Sequence, residues 1–156
     1  MKGSIVRRRF GFLIIALSPI VLLSLASAHA FLTTSTPENQ STVGEVPSAI
    51  DIVFSEPIEV RFSNFKIYPL AVEPGMTDRE IALAANELVS QVLSLKDDEE
   101  VRVDSGVLTG ERTSKEIALG LEEGLEPGVY VVMWHVLSVD THATEDFFFF
   151  RYDPAP

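Results

Sequence analysis

Pro127-Gly128-Val129-Tyr130-Val131-Val132-Met133-Trp134-His135-Val136-Leu137 decides the fold. A Pro-Gly turn launches a run of β-branched and aromatic side chains, the composition of a strand. Side chains alternate along a strand, so Tyr130, Val132, Trp134 and Val136 share a core face and His135 points outward. Trp134 reads as a core anchor. Toward the C-terminus, Phe147-Phe148-Phe149-Phe150 runs into Arg151-Tyr152 as the last strand. Four consecutive phenylalanines cannot share one face. Two belong in the core, and two lie under a neighbouring element or at a contact surface. Toward the N-terminus, Ala49-Ile50-Asp51-Ile52-Val53-Phe54 alternates apolar and polar, and Phe62 to Tyr68 and Lys115 to Leu119 are further short candidates. Several short strands with Pro/Gly turns predict an all-β antiparallel sandwich.

One segment breaks the pattern. Thr77 to Leu95 carries Ile81, Ala84, Leu88, Val92 and Leu95 at three- and four-residue steps. That is the period of an amphipathic helix. Thr77 and Glu80 have capping-box spacing at its start, and Asp97-Asp98-Glu99-Glu100 follows its end. It reads as a helix inserted between strands, packed on the sandwich. A partner-docking helix is the other reading of such a stripe.

The first 28 residues look like an export signal. Lys2, Arg7, Arg8 and Arg9 form a basic region without acids, and Phe10 to Leu25 is apolar and interrupted by Pro19. This run is shorter than the ~20 apolar residues of a typical spanning helix. Ala26-Ser27-Ala28 provides the small residues of a signal-peptidase site. Arg7-Arg8-Arg9-Phe10 also loosely matches a twin-arginine signal. Residues 1–28 are therefore expected to be a cleaved signal, and residues 29–156 a single exported domain with no stable membrane insertion after cleavage. Its eight basic residues against 23 acidic ones give a formal charge of −15. Such a chain lacks the basic footprint of a nucleic-acid binder. The absence of cysteine excludes disulfides, thiolate metal sites and a cysteine-linked lipid.

Cleavage after Ala28 would leave His29 first in the mature chain. An N-terminal histidine offers its amine and its imidazole to one metal ion. Ser138-Val139-Asp140-Thr141-His142 follows the strong strand and contains Asp-x-His. In an extended segment that spacing points both side chains to one side. Alone, the pair reads better as an exposed turn or a simple hydrogen-bonded pair. Glu56, in Phe54-Ser55-Glu56-Pro57, sits at the mouth of a strand that Pro57 ends. Alone, it is a loop carboxylate.

Together these pieces resemble the CopC copper-resistance proteins. His29-Ala30-Phe31-Leu32 with Ser35-Thr36-Pro37 looks like the family's mature start. Ile52-Val53-Phe54-Ser55-Glu56-Pro57 matches its second motif. Pro127-Gly128-Val129-Tyr130, Trp134 and Ser138-Val139-Asp140-Thr141-His142 match its C-terminal motif. The resemblance implies a small Greek-key β-sandwich, cupredoxin-like or immunoglobulin-like, that binds copper outside the cytoplasm. It implies a metal site of His29 (amine and imidazole), His142 and Asp140, with Glu56 as an outer ligand or orienting group. Nitrogen and oxygen donors in a tetragonal set independently suit Cu(II).

The expected function is sequestration of one Cu(II) per mature monomer, or its delivery to a membrane copper-transport protein or another copper protein. The expected location is periplasmic or otherwise extracytoplasmic, and no enzymatic activity is expected. The mature chain has only Met76 and Met133 as thioethers, so it lacks the soft donors a separate Cu(I) site requires. Two alternatives remain at this point. A copper-brace oxidative enzyme also uses an N-terminal histidine plus a second one. A metal-free structural sandwich would leave these residues without a common task.

Overall fold

The computed structural model describes residues 29–154; the expected signal segment lies outside them. Nine elements follow in order. They are β1 (Leu32–Thr36), β2 (Thr42–Val43), β3 (Ala49–Glu59), β4 (Asn64–Leu70), α1 (Asp78–Val92), β5 (Asp104–Val107), β6 (Thr113–Leu121), β7 (Gly128–Leu137) and β8 (Ala143–Tyr152). Two four-stranded sheets result, ordered β1-β3-β6-β5 and β2-β8-β7-β4. The chain passes repeatedly from one sheet to the other, and the expected β-sandwich is what forms. Among the described residues no helix is long and apolar enough to cross a membrane.

The inner core is built by alternation. β7 contributes Tyr130, Val132, Trp134 and Val136, and β8 contributes Phe148 and Phe150. They meet Ile50, Ile52, Phe54 and Ile58 of β3 and Ile117 and Leu119 of β6. Trp134 is fully buried and lies edge-on to Phe54, with ring centroids 5.6 Å apart. This is a favoured aromatic geometry.

The opposite face of the same sheet is also covered. Val129, Val131 and Met133 of β7 and Phe149 of β8 pack against Ile81 and Ala85 of α1. That second layer explains why β7 is apolar at nearly every position. It also divides the phenylalanines as alternation requires: Phe148 and Phe150 fill the sandwich, while Phe149, with Phe147 beside it, lies under the helix. The helix starts where its sequence says. Thr77 is the N-cap, and its reciprocal bonds with Glu80 complete a capping box. Regular helix ends at Val92, earlier than the apolar stripe to Leu95 suggests.

A buried lysine fixes that end. Lys66 on β4 is 1% exposed. Its ammonium donates to the carbonyls of Val92 and Leu95, each at 2.8 Å, and to Asp98 Oδ2. All three ammonium protons thus have acceptors, and a cation sits at the negative end of the helix. The Tyr68 hydroxyl also donates to Asp98, while Arg102 donates to Asp104 and to the Phe65 carbonyl. Burial, then the Asp98 hydrogen bond, pushes the Tyr68 hydroxyl well above its ordinary range. Burial would raise Asp98 too, but the Lys66 and Tyr68 hydrogen bonds outweigh it and hold the carboxyl below its usual value.

Breaking this network leaves Asp98 buried with its main partner gone. Lys66→Ala is expected to destabilise the domain by ~3–5 kcal/mol, the usual cost of orphaning one partner of a buried pair, read by urea unfolding. Because the folded pKa of Asp98 lies below its unfolded value of ~3.9, its contribution is complete above that value. It is lost as pH falls through the folded pKa. The variant should therefore show a smaller loss of stability than the parent chain on acidification below about pH 4. An unchanged midpoint for Lys66→Ala at neutral pH would contradict the anchoring role.

Candidate metal centre

The β7–β8 hairpin runs in register from Gly128–Tyr152 to Leu137–Ala143 and closes through residues 138–142. The Ser138 N–H donates to the His142 carbonyl, and the Thr141 N–H to the Ser138 carbonyl, both at 2.9 Å. Thr141 takes φ +75°, the left-handed conformation that closes such a turn. A β-branched residue adopts it at a cost. The turn therefore places Asp140 and His142 on one tight loop rather than on an extended strand.

Ser138 organises that loop. It is buried, and its hydroxyl donates to Asp140 Oδ1 and lies 2.9 Å from the His142 carbonyl oxygen. The His142 N–H reaches Asp140 Oδ1 at 3.3 Å, and His142 Nδ1 lies 3.0 Å from Asp140 Oδ2. The Ser138 hydrogen bond, ahead of those from His142, holds the Asp140 carboxyl below the ordinary range. An ionised carboxylate on Nδ1 selects the tautomer whose Nε2 carries the free lone pair. The same carboxylate–imidazole contact orients metal-binding histidines generally.

His29 reaches this loop from the other end of the chain. Its ring centroid is 5.3 Å from that of His142, at an interplanar angle of 50°. A bulge in β3 brings it there. Val53 pairs with Glu116 and Ile58 with Ser114, so three extra residues accumulate on β3. The bulge spends its free main-chain groups on its neighbours. Ser55 N–H donates to the Phe31 carbonyl at 2.9 Å, and Phe31 N–H donates to the Ser55 hydroxyl at 3.2 Å. The Pro57 carbonyl accepts from Val139 N–H at 3.2 Å. Thr144 adds a bond from its hydroxyl to the Ala30 carbonyl at 2.9 Å.

His29, Asp140 and His142 are thus gathered at one end of the sandwich. Glu56 lies in the same bulge and is exposed; within its motif the Ser55 hydroxyl accepts from the Phe31 N–H and the Pro57 carbonyl from the Val139 N–H. His135 points outward from β7, half-exposed, and faces Glu145 across the hairpin. Among the described residues no three or more His, Cys, Asp or Glu side chains stand close enough together to hold a metal ion as they are placed. Two imidazoles and one carboxylate are the ionisable side chains of this cluster. The organising role of Ser138 is one the sequence pattern does not show; a serine two residues before Asp140 is the available signal.

Comparison with known proteins identifies the family. The CopC domain model matches residues 32–88 and 76–153. The chain belongs to the CopC family. It is 32% identical over 123 residues to protein YobA of Escherichia coli K12, covering 79% of this chain and 77% of that one. It is 28% identical over 134 residues to copper resistance protein C of Pseudomonas syringae pv. tomato, covering 86% and 88%. The crystal structure of PcoC, a methionine-rich copper resistance protein from Escherichia coli, superposes with a TM-score of 0.56 at 23% identity, covering 81% of this chain and all of that one. The CopC family comprises copper-binding resistance proteins and not enzymes, which removes the oxidative-enzyme alternative.

Ser138→Ala should return the Asp140 carboxyl toward its ordinary pKa. A carboxylate-detected NMR titration of the metal-free protein would register this as a midpoint displaced to higher pH. An unmoved midpoint would show that the hydroxyl does not set the state of Asp140.

Proposed function

We propose that the mature chain is an exported copper-homeostasis protein that holds one Cu(II). The ion is bound by the amine and imidazole of His29, by the His142 imidazole, and by the Asp140 carboxylate once it turns away from His142 Nδ1. Glu56 contributes at most from outside this set. The observation that carries the reading is the approach of His29 to His142, which unites the start of the mature domain with its last loop. Nitrogen and carboxylate donors without sulfur favour Cu(II) over Zn(II) in the Irving–Williams order. The domain of residues 29–156 acts as an extracytoplasmic monomer. It sequesters copper or passes it to a membrane copper-transport protein.

The proposal requires cleavage between Ala28 and His29. Before cleavage the His29 nitrogen is an amide and a poor ligand; afterwards it is an amine of pKa ~7.7–8.0. Metal binding displaces that proton, so affinity falls with falling pH. Protein starting at His29 should bind Cu(II) more tightly than protein carrying one extra residue before it, with a different EPR spectrum. Equal affinity and equal spectra for the two would falsify the N-terminal chelate.

Substitutions separate the ligands. His142→Ala and Asp140→Ala should both weaken Cu(II) binding, and loss of the imidazole should cost more than loss of the carboxylate, which water can partly replace. His135→Ala should leave the first Cu(II) equivalent unaffected. These are read by competition titration with a chromophoric chelator. Preferential retention of zinc under equal competition would overturn the choice of metal.

A further inference from the structure

Three strands of the second sheet carry donor side chains at one level. Asn64 of β4 pairs with His135 of β7, and His135 pairs with Glu145 of β8. Directly opposed residues on neighbouring strands share a face of the sheet. The inner face is occupied by Trp134 and Val136, so this row lies on the outer face. There it lines a groove of about 440 Å³ beside the C-terminal half of α1, where Ser90, Leu93 and Ser94 form the far wall.

The row has the chemistry of a cation site. His135 Nε2 stands 4.0 Å from Glu145 Oε1, beyond hydrogen-bond reach. Two donors bound to one ion at ~2.0–2.2 Å each can be up to about 4 Å apart. A small rotation of either side chain shortens the span. Both are free to make it, since their side chains are 42% and 63% exposed. Asn64 is held differently. Its Nδ2 donates to the Leu93 carbonyl at 2.9 Å, which fixes the amide and leaves Oδ1 as its acceptor. No lysine or arginine lines the groove to compete for Glu145.

We propose that His135 and Glu145, with the amide oxygen of Asn64, form a second site for a divalent first-row ion, with water completing the coordination. One imidazole with oxygen donors accepts Zn(II) and, more strongly, Cu(II). Two ionisable protein donors on an open surface make this the weaker site, filled after the first. It shares the β7–β8 hairpin with His142 but uses none of the residues of the proposed centre.

The test is titration of the mature protein with copper(II) chloride, followed by EPR and by paramagnetic broadening of amide NMR signals. The parent chain should take a second, weaker equivalent with its own EPR signal, and broadening should centre on Asn64, His135 and Glu145. His142→Ala should lose the tight equivalent and keep the weak one. His135→Ala and Glu145→Gln, both at exposed positions, should keep the tight equivalent and lose the weak one. Zinc chloride should compete for the weak equivalent in the parent chain. A single equivalent in the parent chain, or a weak equivalent that survives both substitutions, would overturn the second site. Failure of the tight site instead would appear as an unaltered first equivalent in His142→Ala, so the two assignments are judged separately.

Discussion

The three-residue bulge in β3 is the constraint on which the proposed metal-binding end depends. A regular β3 would give its hydrogen bonds alternately to β1 and β6 and leave the β7–β8 turn without a main-chain partner on that strand. The bulge frees the Ser55 N–H for Phe31 and the Pro57 carbonyl for Val139. One irregular stretch therefore holds both halves of the cluster. Proline is suited to this place, because a residue without an N–H costs nothing where the ladder is already broken. The Lys115 ammonium donates to the Ser55 carbonyl at 2.7 Å and satisfies a further main-chain group the bulge leaves unpaired. The Ser55 N–H and carbonyl and the Pro57 carbonyl are thereby taken up by neighbours.

The inserted helix is a separate construction on the same sheet. It covers Val131, Met133 and Phe149 and so allows β7 to be apolar on both faces. A strand buried on both sides is a stiff element, and β7 leads directly into Ser138. The helix is held at its start by side-chain capping and at its end by Lys66. The lysine binds two carbonyls beyond the last regular turn and an aspartate of the following loop. The insertion thus covers one face of the hairpin, and the proposed centre lies at its turn.

Strong periodic signals were legible in the sequence. β7, the helix with its Thr77–Glu80 cap, and the division of the four phenylalanines between two layers all follow from alternation and spacing. The short strands β1, β2 and β5 were not legible, because strands of two to five residues at sheet edges carry too few side chains to show a period. Lys66 was not legible as a core residue, since its burial depends on acceptors from a loop about thirty residues later in the chain. The grouping of His29 and His142, with Asp140 beside His142, was anticipated through the family resemblance, whereas the direction of the Glu56 side chain is not legible from alternation. A bulge rotates successive side chains off the regular alternation. No period-two argument can therefore say which of Ser55, Glu56 and Pro57 turns inward.

The same hydrogen bonds impose an asymmetry on the cluster. His142 stands on a closed turn, with its ring against Asp140 and Asp140 in turn against the buried Ser138. The His29 segment is tied through its main chain, with the His29 carbonyl 3.4 Å from the Ser55 hydroxyl and the Ala30 carbonyl accepting from the Thr144 hydroxyl. In the proposed centre one ligand is therefore preorganised and the other is strapped. Preorganisation lowers the entropy cost of binding on the His142 side, while the His29 side keeps the freedom of a chain terminus. An ion held in this way need not wait for the sandwich to open before it leaves. Loss of the His29 chelate alone strips two of its donors and leaves it on an exposed loop, where an incoming ligand can replace them one at a time. That property suits a protein that hands its metal on better than one that locks it away.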